Sequence, residues 1–195
     1  MGAVLQRKAA NPLAMPVHAF YLFDTPIGAC AIAWSGDSIA GVLLPEDDPT
    51  HTRPRMRRRF PEAAEALPPS WVLTVIQRIQ QLLAGRSQDA LADVPLDLAD
   101  VPAFNRRVYE VARTILPGQT LSYGEVAARL GEPGAARAVG QALGHNPFAP
   151  IVPCHRVLAA GKRSGGFSAG GGVATKLRML QIEQAQLGDG PGLFD

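Results

Sequence analysis

The spacing of apolar residues changes along the chain and divides it into an extended part and a helical part. In residues 20–44, short apolar runs are separated by Thr25-Pro26-Ile27-Gly28 and by Gly36-Asp37, which are typical turn sequences between strands. Residues 70–83 instead carry apolar side chains three or four positions apart, the spacing of an amphipathic helix. The first hundred residues therefore predict a short antiparallel meander followed by a helix, and then a linker over residues 86–101.

Helical spacing dominates the second half. Apolar residues at helical intervals, interrupted by glycine and proline, predict four helices, over residues 104–115, 122–130, 135–143 and 173–186. Ser122, followed three residues later by Glu125, matches the capping box that starts a helix. The overall pattern is that of an α/β N-terminal part joined to a mostly helical C-terminal part.

Composition excludes several classes of protein. Apolar residues make up 47% of the 195 residues, which is enough to bury a core, and no apolar run approaches the length of a membrane span. Residues 1–15 lack the apolar stretch of a secretory signal, so we expect a cytoplasmic protein. The two cysteines, Cys30 and Cys154, are too few for a disulfide framework and lack the CxxC spacing of a zinc site.

The net charge of +2 hides an uneven distribution. Residues 1–100 contain nine Lys and Arg against eleven Asp and Glu, whereas residues 101–195 contain ten against six. A basic face is what contacts with phosphate require. Residues 51–59 are also rich in arginine; they are either a nucleic-acid patch or a solvated helix face, and we favour the solvated face.

The two predicted helices at residues 122–130 and 135–143 have the proportions of a helix-turn-helix. The second contains Ala136, Arg137, Ala138 and Gly140, where a reader of the major groove would carry several long polar side chains. Small side chains allow a close approach to another surface, and a single arginine among them can enter a base stack or a narrow groove. A core helix with Arg137 pointing outward explains the same residues equally well.

Cys154 and His155 follow two prolines in an apolar stretch. A cysteine attacks carbon as the thiolate, which requires a base or a positive charge nearby. Neighbouring residues of an extended segment point to opposite sides, so we expect His155 to act through a bridging water. The alternatives are a buried, inert cysteine beside an unrelated histidine, or a protease-type pair, although such pairs usually come from distant parts of a chain.

Glycine is abundant in residues 165–172, which are Gly-Gly-Phe-Ser-Ala-Gly-Gly-Gly. Such a loop lets backbone N–H groups approach a flat ligand closely. These residues do not follow the GxxxxGK(S/T) order of a phosphate-binding loop. A flexible connection to the last helix is the alternative.

Taken together, the segments Arg137-Ala138-Val139-Gly140, Asn146-Pro147 and Pro153-Cys154-His155-Arg156-Val157 resemble the O6-alkylguanine-DNA alkyltransferases. The resemblance is close over residues 102–186 and looser before them. It implies a ribonuclease H-like N-terminal domain, a small sheet plus helix, over residues 16–100. A mostly helical, winged-helix-like domain with a helix-turn-helix would follow over residues 101–187. Residues 1–15 would be a flexible arm and residues 188–195 a tail.

The resemblance also implies roles for individual residues. Cys154 matches the nucleophile, His155 its water-relayed base, and Glu183 the carboxylate that orients the histidine. Arg137 matches the arginine that replaces a flipped nucleotide in the stack. The remaining expected residues are Tyr123, which helps rotate the nucleotide and protonate the leaving base; Asn146, which braces the active-site turn; Ala136 and Ala138, on the DNA-binding helix; and Val157, Phe167 and Ser168, around the base pocket.

The activity implied by the resemblance is DNA repair by direct reversal of damage. A monomer would move an alkyl group from O6-alkylguanine, or O4-alkylthymine, in double-stranded DNA to its own Cys154, once per molecule, without a cofactor or metal. The segment from Phe167 to Lys176 is about two residues longer than the family pattern, and Phe167 replaces the usual tyrosine. A recognition protein without transfer activity and a helix-turn-helix regulator are the alternatives.

Overall fold

An antiparallel meander forms the N-terminal sheet, as the turn sequences predict. The computed structural model describes residues 19–162 and 164–185, so the expected arm and tail lie outside the described residues. A fourth, short strand pairs in parallel with β1, giving the order β3-β2-β1-β4. The strands are β1 (Ala19–Thr25), β2 (Gly28–Ser35), β3 (Ser38–Leu43) and β4 (Ala64–Glu65).

Two helices cover opposite faces of this sheet because side chains alternate along each strand. Helix α1 (Thr52–Arg59) places Met56 against Ala31 and Ala33 of β2. Helix α2 (Ser70–Leu83) packs its apolar side on the other face, which carries the side chains of Cys30, Ile32 and Trp34. The helix predicted over residues 70–83 is confirmed at both ends.

Four helices make up the second half. They are α3 (Ala103–Arg113), α4 (Tyr123–Arg129), α5 (Ala136–Gly144) and α6 (Gly172–Ile182). Ser122 caps α4 through the predicted box, its hydroxyl accepting from the N–H of Glu125 while the Glu125 carboxylate accepts from the N–H of Ser122. Helices α3, α4 and α5 pack together through small and branched side chains, including Val108, Val126 and Val139.

Two local predictions need correction. Residues 154–156, expected to be extended, form one turn of 3-10 helix, and two short parallel strands flank the site: β5 (Leu121–Ser122) and β6 (Val157–Leu158). Helix α6 ends at Ile182, not at residue 186: Glu183 is its C-cap and Gln184 has a left-handed φ of 55°. The physical reason is that Glu183 is drawn into the interior by buried partners described below.

Strand β3, at the edge of the sheet, is tied both to the linker and to the second half of the chain. The N–H of Ile39 donates to Pro95 O, and an isolated bridge joins Ile39 to Leu96, both within the predicted linker. The N–H of Val42 donates to Pro147 O at 2.9 Å, so strand β3 holds the segment that leads to Cys154. In the described ranges, no helix is long and apolar enough to cross a membrane.

Candidate active site

Cys154 begins the 3-10 turn and is almost completely buried, with 8% of its surface exposed. Its backbone N–H donates to Val152 O at 2.8 Å. The side chain of Asn146 donates to the same carbonyl at 2.8 Å and accepts from the N–H of Phe148 at 2.9 Å. Asn146 therefore closes the loop that leads to the cysteine.

His155 is fully buried and its Nε2 lies 3.0 Å from Glu183 Oε1. Burial lowers the pKa of His155, against the hydrogen bond to Glu183, so the ring is neutral at rest. A neutral ring that donates from Nε2 has its lone pair on Nδ1. His155 Nδ1 makes no hydrogen bond within the described part of the chain, and is therefore the atom that can receive a proton.

Arg156 is a functional residue that sequence reasoning missed. Its guanidinium is fully buried, donates to both carboxylate oxygens of Glu183 at 2.9 and 2.7 Å, and donates to Ile115 O at 2.6 Å. Burial alone would raise the pKa of Glu183, but the hydrogen bonds from His155 and Arg156 lower it to about 2. Glu183 is therefore ionised and held by two partners, which locks the imidazole in one orientation.

Lys176 was also missed. It is fully buried, its Nζ donates to Val157 O at 2.8 Å, and it lies 6.0 Å from the centre of the Tyr123 ring. Burial lowers its pKa to about 8, opposed by the attraction of Cys154. The signal was present in the sequence, since Lys176 lies three and four residues before the buried Met179 and Leu180 and so shares their inward face.

The protonation state of the thiol follows from these surroundings. Burial raises the pKa of Cys154, while the hydrogen bond from Asn146 and the charge of Lys176 oppose that rise. At rest the site thus contains a neutral thiol and a neutral imidazole. Cys30, by contrast, has its pKa raised by burial to about 12 and lies in the core beneath the sheet, as expected for a packing residue.

An open pocket of about 570 Å³ leads to Cys154 from the surface of α4 and α5, and we name it the helix-side pocket. Tyr123, the first residue of α4, contributes its half-buried ring, and Arg137 stands exposed on α5. Gly140 packs beside this ring, since a Cβ there would lie 3.8 Å from it, at ordinary contact distance. The pocket is completed by Ala136, Gln141, Leu143, Gly144, Gly166, Phe167 and Ser168.

The structure brings most of the predicted residues to this pocket. Cys154, Tyr123 and Arg137 line it with Phe167 and Ser168, while Asn146, His155 and Glu183 support it from the interior. Of the residues predicted for the DNA-binding helix and the base pocket, two are not on its wall. Ala138 is half-buried elsewhere on α5, and Val157 is fully buried with its carbonyl bound to Lys176, so its place in a base pocket rests on the resemblance alone.

No group of three or more His, Cys, Asp or Glu side chains capable of holding a metal ion occurs among residues 19–162 and 164–185. The site consists instead of a thiol, a histidine held by a carboxylate, two buried cations and a tyrosine at the entrance. Such a set can generate a thiolate, orient it and protonate a leaving group.

Comparison with known proteins identifies the family. Residues 103–185 match the family described as "6-O-methylguanine DNA methyltransferase, DNA binding domain". The chain is 36% identical over 172 residues to the methylated-DNA–protein-cysteine methyltransferase of Mycobacterium tuberculosis, covering 88% of this chain and 96% of the relative. The protein of the same name from Methanothermobacter thermautotrophicus is 32% identical over 162 residues, covering 83% of this chain and 83% of the relative.

A solved structure shows the same fold. The M. tuberculosis protein OGT, crystallised in complex with DNA, superposes with a TM-score of 0.68 at 35% identity, covering 85% of this chain and 92% of that chain. A relative of such identity and coverage shares the family as well as the fold, and the chain belongs to the methylated-DNA–protein-cysteine methyltransferase family.

Proposed function

We propose that this protein repairs DNA by transferring an alkyl group from O6 of guanine to Sγ of Cys154. The observation that carries the proposal is the position of Cys154, at the bottom of the helix-side pocket and beside the buried His155–Glu183 pair. The names of the relatives and the DNA complex of the M. tuberculosis protein support DNA as the partner. The transfer would occur once per molecule, because a thioether is stable.

The proton path begins at Cys154. His155 donates from Nε2 to Glu183, so Nδ1 accepts the thiol proton, with one bridging water as the relay. Arg156 keeps Glu183 ionised and in place. The charge of Lys176 then favours the thiolate over the thiol.

The base must reach the thiol from outside the stack. An atom inside a duplex is inaccessible to Cys154, so the damaged nucleotide must be flipped into the helix-side pocket. We propose that Arg137, exposed at its rim, fills the gap left in the stack. The small side chains of Ala136 and Ala138 would let α5 lie in the minor groove. This helix would belong to a winged-helix-like domain over residues 101–187, which follows a ribonuclease H-like domain over residues 16–100.

The reaction balances without a cofactor. The thiolate forms an S–C bond, the C–O6 bond breaks, and its electron pair stays on the guanine, which gains one proton. Tyr123 faces the pocket and supplies that proton or a hydrogen bond in its place. O4-alkylthymine presents the same exocyclic C–O bond, and we include it as a second substrate of this site.

The cellular setting follows from the same chemistry. Both cysteines are free thiols, as suits a reducing compartment, and a reactive Cys154 requires one. We therefore place the protein in the cytoplasm, acting as a monomer on double-stranded DNA. The alternative of a recognition protein without transfer activity is disfavoured by the presence of Cys154 with its complete set of partners.

The test is the intact mass of the protein after incubation with a duplex containing O6-methylguanine. We expect a gain of one CH2 per molecule, mapped to the peptide that contains Cys154. Cys154→Ser should abolish the gain while DNA binding persists, and Cys30→Ser is the matched control that keeps it. Tight binding without any gain in mass would instead identify a recognition protein.

A further inference from the structure

A second pocket reaches Cys154 from the side of the N-terminal sheet. It has a volume of about 320 Å³ and is lined by residues 42–44, by Arg55 and Arg59 of α1, and by parts of residues 144–149 and 168–170. We name it the arginine pocket. Its volume is at the lower end of the ~300–1,000 Å³ of small-molecule sites.

The two pockets meet at the nucleophile. Gly144, Cys154 and Ser168 line both of them, and Ser168 Oγ donates to Gly144 O at 2.6 Å. A molecule that fills the helix-side pocket therefore presents its reacting end at the entrance to the arginine pocket.

The arginine pocket carries an unbalanced positive charge. Arg55 is paired with Glu46, whereas Arg59 forms no ion pair with any carboxylate of the described chain and stacks on Phe60, 5.0 Å from the ring centre. Burial, with a smaller effect of Arg55, lowers the pKa of Arg59. The side chain of Arg59 is only half-buried, yet a guanidinium that has lost part of its hydration without gaining a carboxylate is unfavourable, and an anion in this cavity would compensate it.

Alkyl transfer brings a substituent to this place. The reacting carbon moves to sulfur and carries the rest of the alkyl group with it, while the guanine ring occupies the helix-side pocket. Any atoms beyond that carbon must fit next to Cys154, and the arginine pocket is the cavity that opens there.

We infer that the arginine pocket receives the part of the alkyl group beyond the transferred carbon, and that Arg59 makes the site selective for anionic substituents such as carboxymethyl. The inference rests on the proposed function. The thiolate attacks the methylene carbon of O6-carboxymethylguanine, the C–O6 bond breaks, and guanine leaves with the electron pair and takes up a proton. The product is S-carboxymethylcysteine, whose carboxylate faces Arg59.

The experiment measures single-turnover rates on three duplexes, which carry O6-carboxymethylguanine, its neutral isostere O6-carbamoylmethylguanine, or O6-methylguanine. We expect the wild type to prefer the carboxylate over the amide, and Arg59→Gln to reduce that ratio about tenfold. Arg59→Lys should keep most of the preference because it keeps the charge. Arg58→Gln, at the exposed neighbouring position, is the control and should leave the ratio unchanged.

Each outcome separates the two proposals. Failure of every protein to react with O6-methylguanine would overturn the proposed function. Normal transfer of methyl with equal rates on carboxylate and amide would overturn only the role of the arginine pocket. An equal loss on all three duplexes in Arg59→Gln would also overturn it, since it would place Arg59 on the DNA backbone.

Discussion

Glu183 Oε1 lies 3.0 Å from His155 Nε2, and both side chains are buried. The same carboxylate accepts two hydrogen bonds from Arg156. Glu183 therefore has two tasks, which are to orient the imidazole and to neutralise a guanidinium that has no access to water. Both depend on its negative charge.

Replacing Glu183 by glutamine should damage stability and transfer together. The amide preserves shape but leaves Arg156 buried without a counter-charge, for which we expect a loss of ~3–5 kcal/mol in the free energy of unfolding. We expect the transfer rate to fall by about 10²-fold or more, because the histidine loses its orientation as a base. Denaturant unfolding and single-turnover kinetics measure the two effects.

The matched control is Glu132→Gln. Glu132 forms a surface ion pair with Arg107 at 2.7 Å, in which both side chains are nearly half exposed. Such pairs contribute ~0–1 kcal/mol, so stability and rate should both stay close to wild type. If Glu183→Gln behaved like this control, the buried cluster of His155, Arg156 and Glu183 would contribute neither to stability nor to transfer.

The parts of the fold that sequence predicted are those set by local periodicity. Helix α2 and the Ser122 capping box follow from neighbours within one or two turns. The turn at residues 154–156 and the early end of α6 could not be predicted, because they depend on Glu183 meeting residues 27 and 28 positions away in sequence.

The site likewise contains residues that can be predicted from the sequence and residues whose role depends on distant contacts. Family resemblance placed Cys154, His155 and Glu183, but no local pattern shows that Arg156 is buried, since an arginine is normally exposed unless a partner is brought to it. The solvated helix face that the sequence favours for residues 51–59 is confirmed for Arg57 and Arg58, which are exposed. Arg59 departs from it because the helix turns that residue toward the interior.

Lys176 should give the transfer rate a characteristic pH profile. Its pKa is lowered by burial to about 8, so it is charged below that pH and supports the thiolate of Cys154, and it becomes neutral above. We expect the rate to rise with pH as the thiol ionises. Above about pH 8 the rise should become less steep, because neutral Lys176 no longer favours the thiolate. Lys176→Met should be slower by about tenfold and should lack the change near pH 8; an unaltered profile would argue against the electrostatic role.

The same residue affects stability with a defined sign. In the unfolded chain Lys176 returns to its ordinary pKa of 10.5, so between about pH 8 and 10.5 the unfolded state binds more protons than the folded one. Stability from this group therefore rises with pH across that window. Lys176→Met should abolish this rise, as measured by urea unfolding at several pH values.

Arg137 should matter for duplex DNA and not for a free base. If it fills the gap left by a flipped nucleotide, Arg137→Ala should reduce transfer from a duplex by about 10-fold or more while reducing reaction with free O6-benzylguanine much less, because unstacking costs a few kcal/mol only in the duplex. Arg129→Ala, at an exposed position of α4, is the control. Equal losses on both substrates would refute the stack-filling role.

Gly170 is a position where the loop before α6 leaves no room for a side chain against neighbouring backbone. A Cβ there would collide with Pro45 O and approach Glu46 Cα to 2.9 Å, both of them backbone atoms that cannot rotate away. Gly170→Ala should therefore displace the loop that carries Ser168, lower stability by ~1–3 kcal/mol and slow transfer. Gly166→Ala is the matched control for stability, because a Cβ at Gly166 meets nothing within 4 Å. Thermal unfolding compares the two variants, and single-turnover kinetics compares Gly170→Ala with the wild type: equal melting temperatures for the two variants would show that the loop does not need its close contact with residues 45–46.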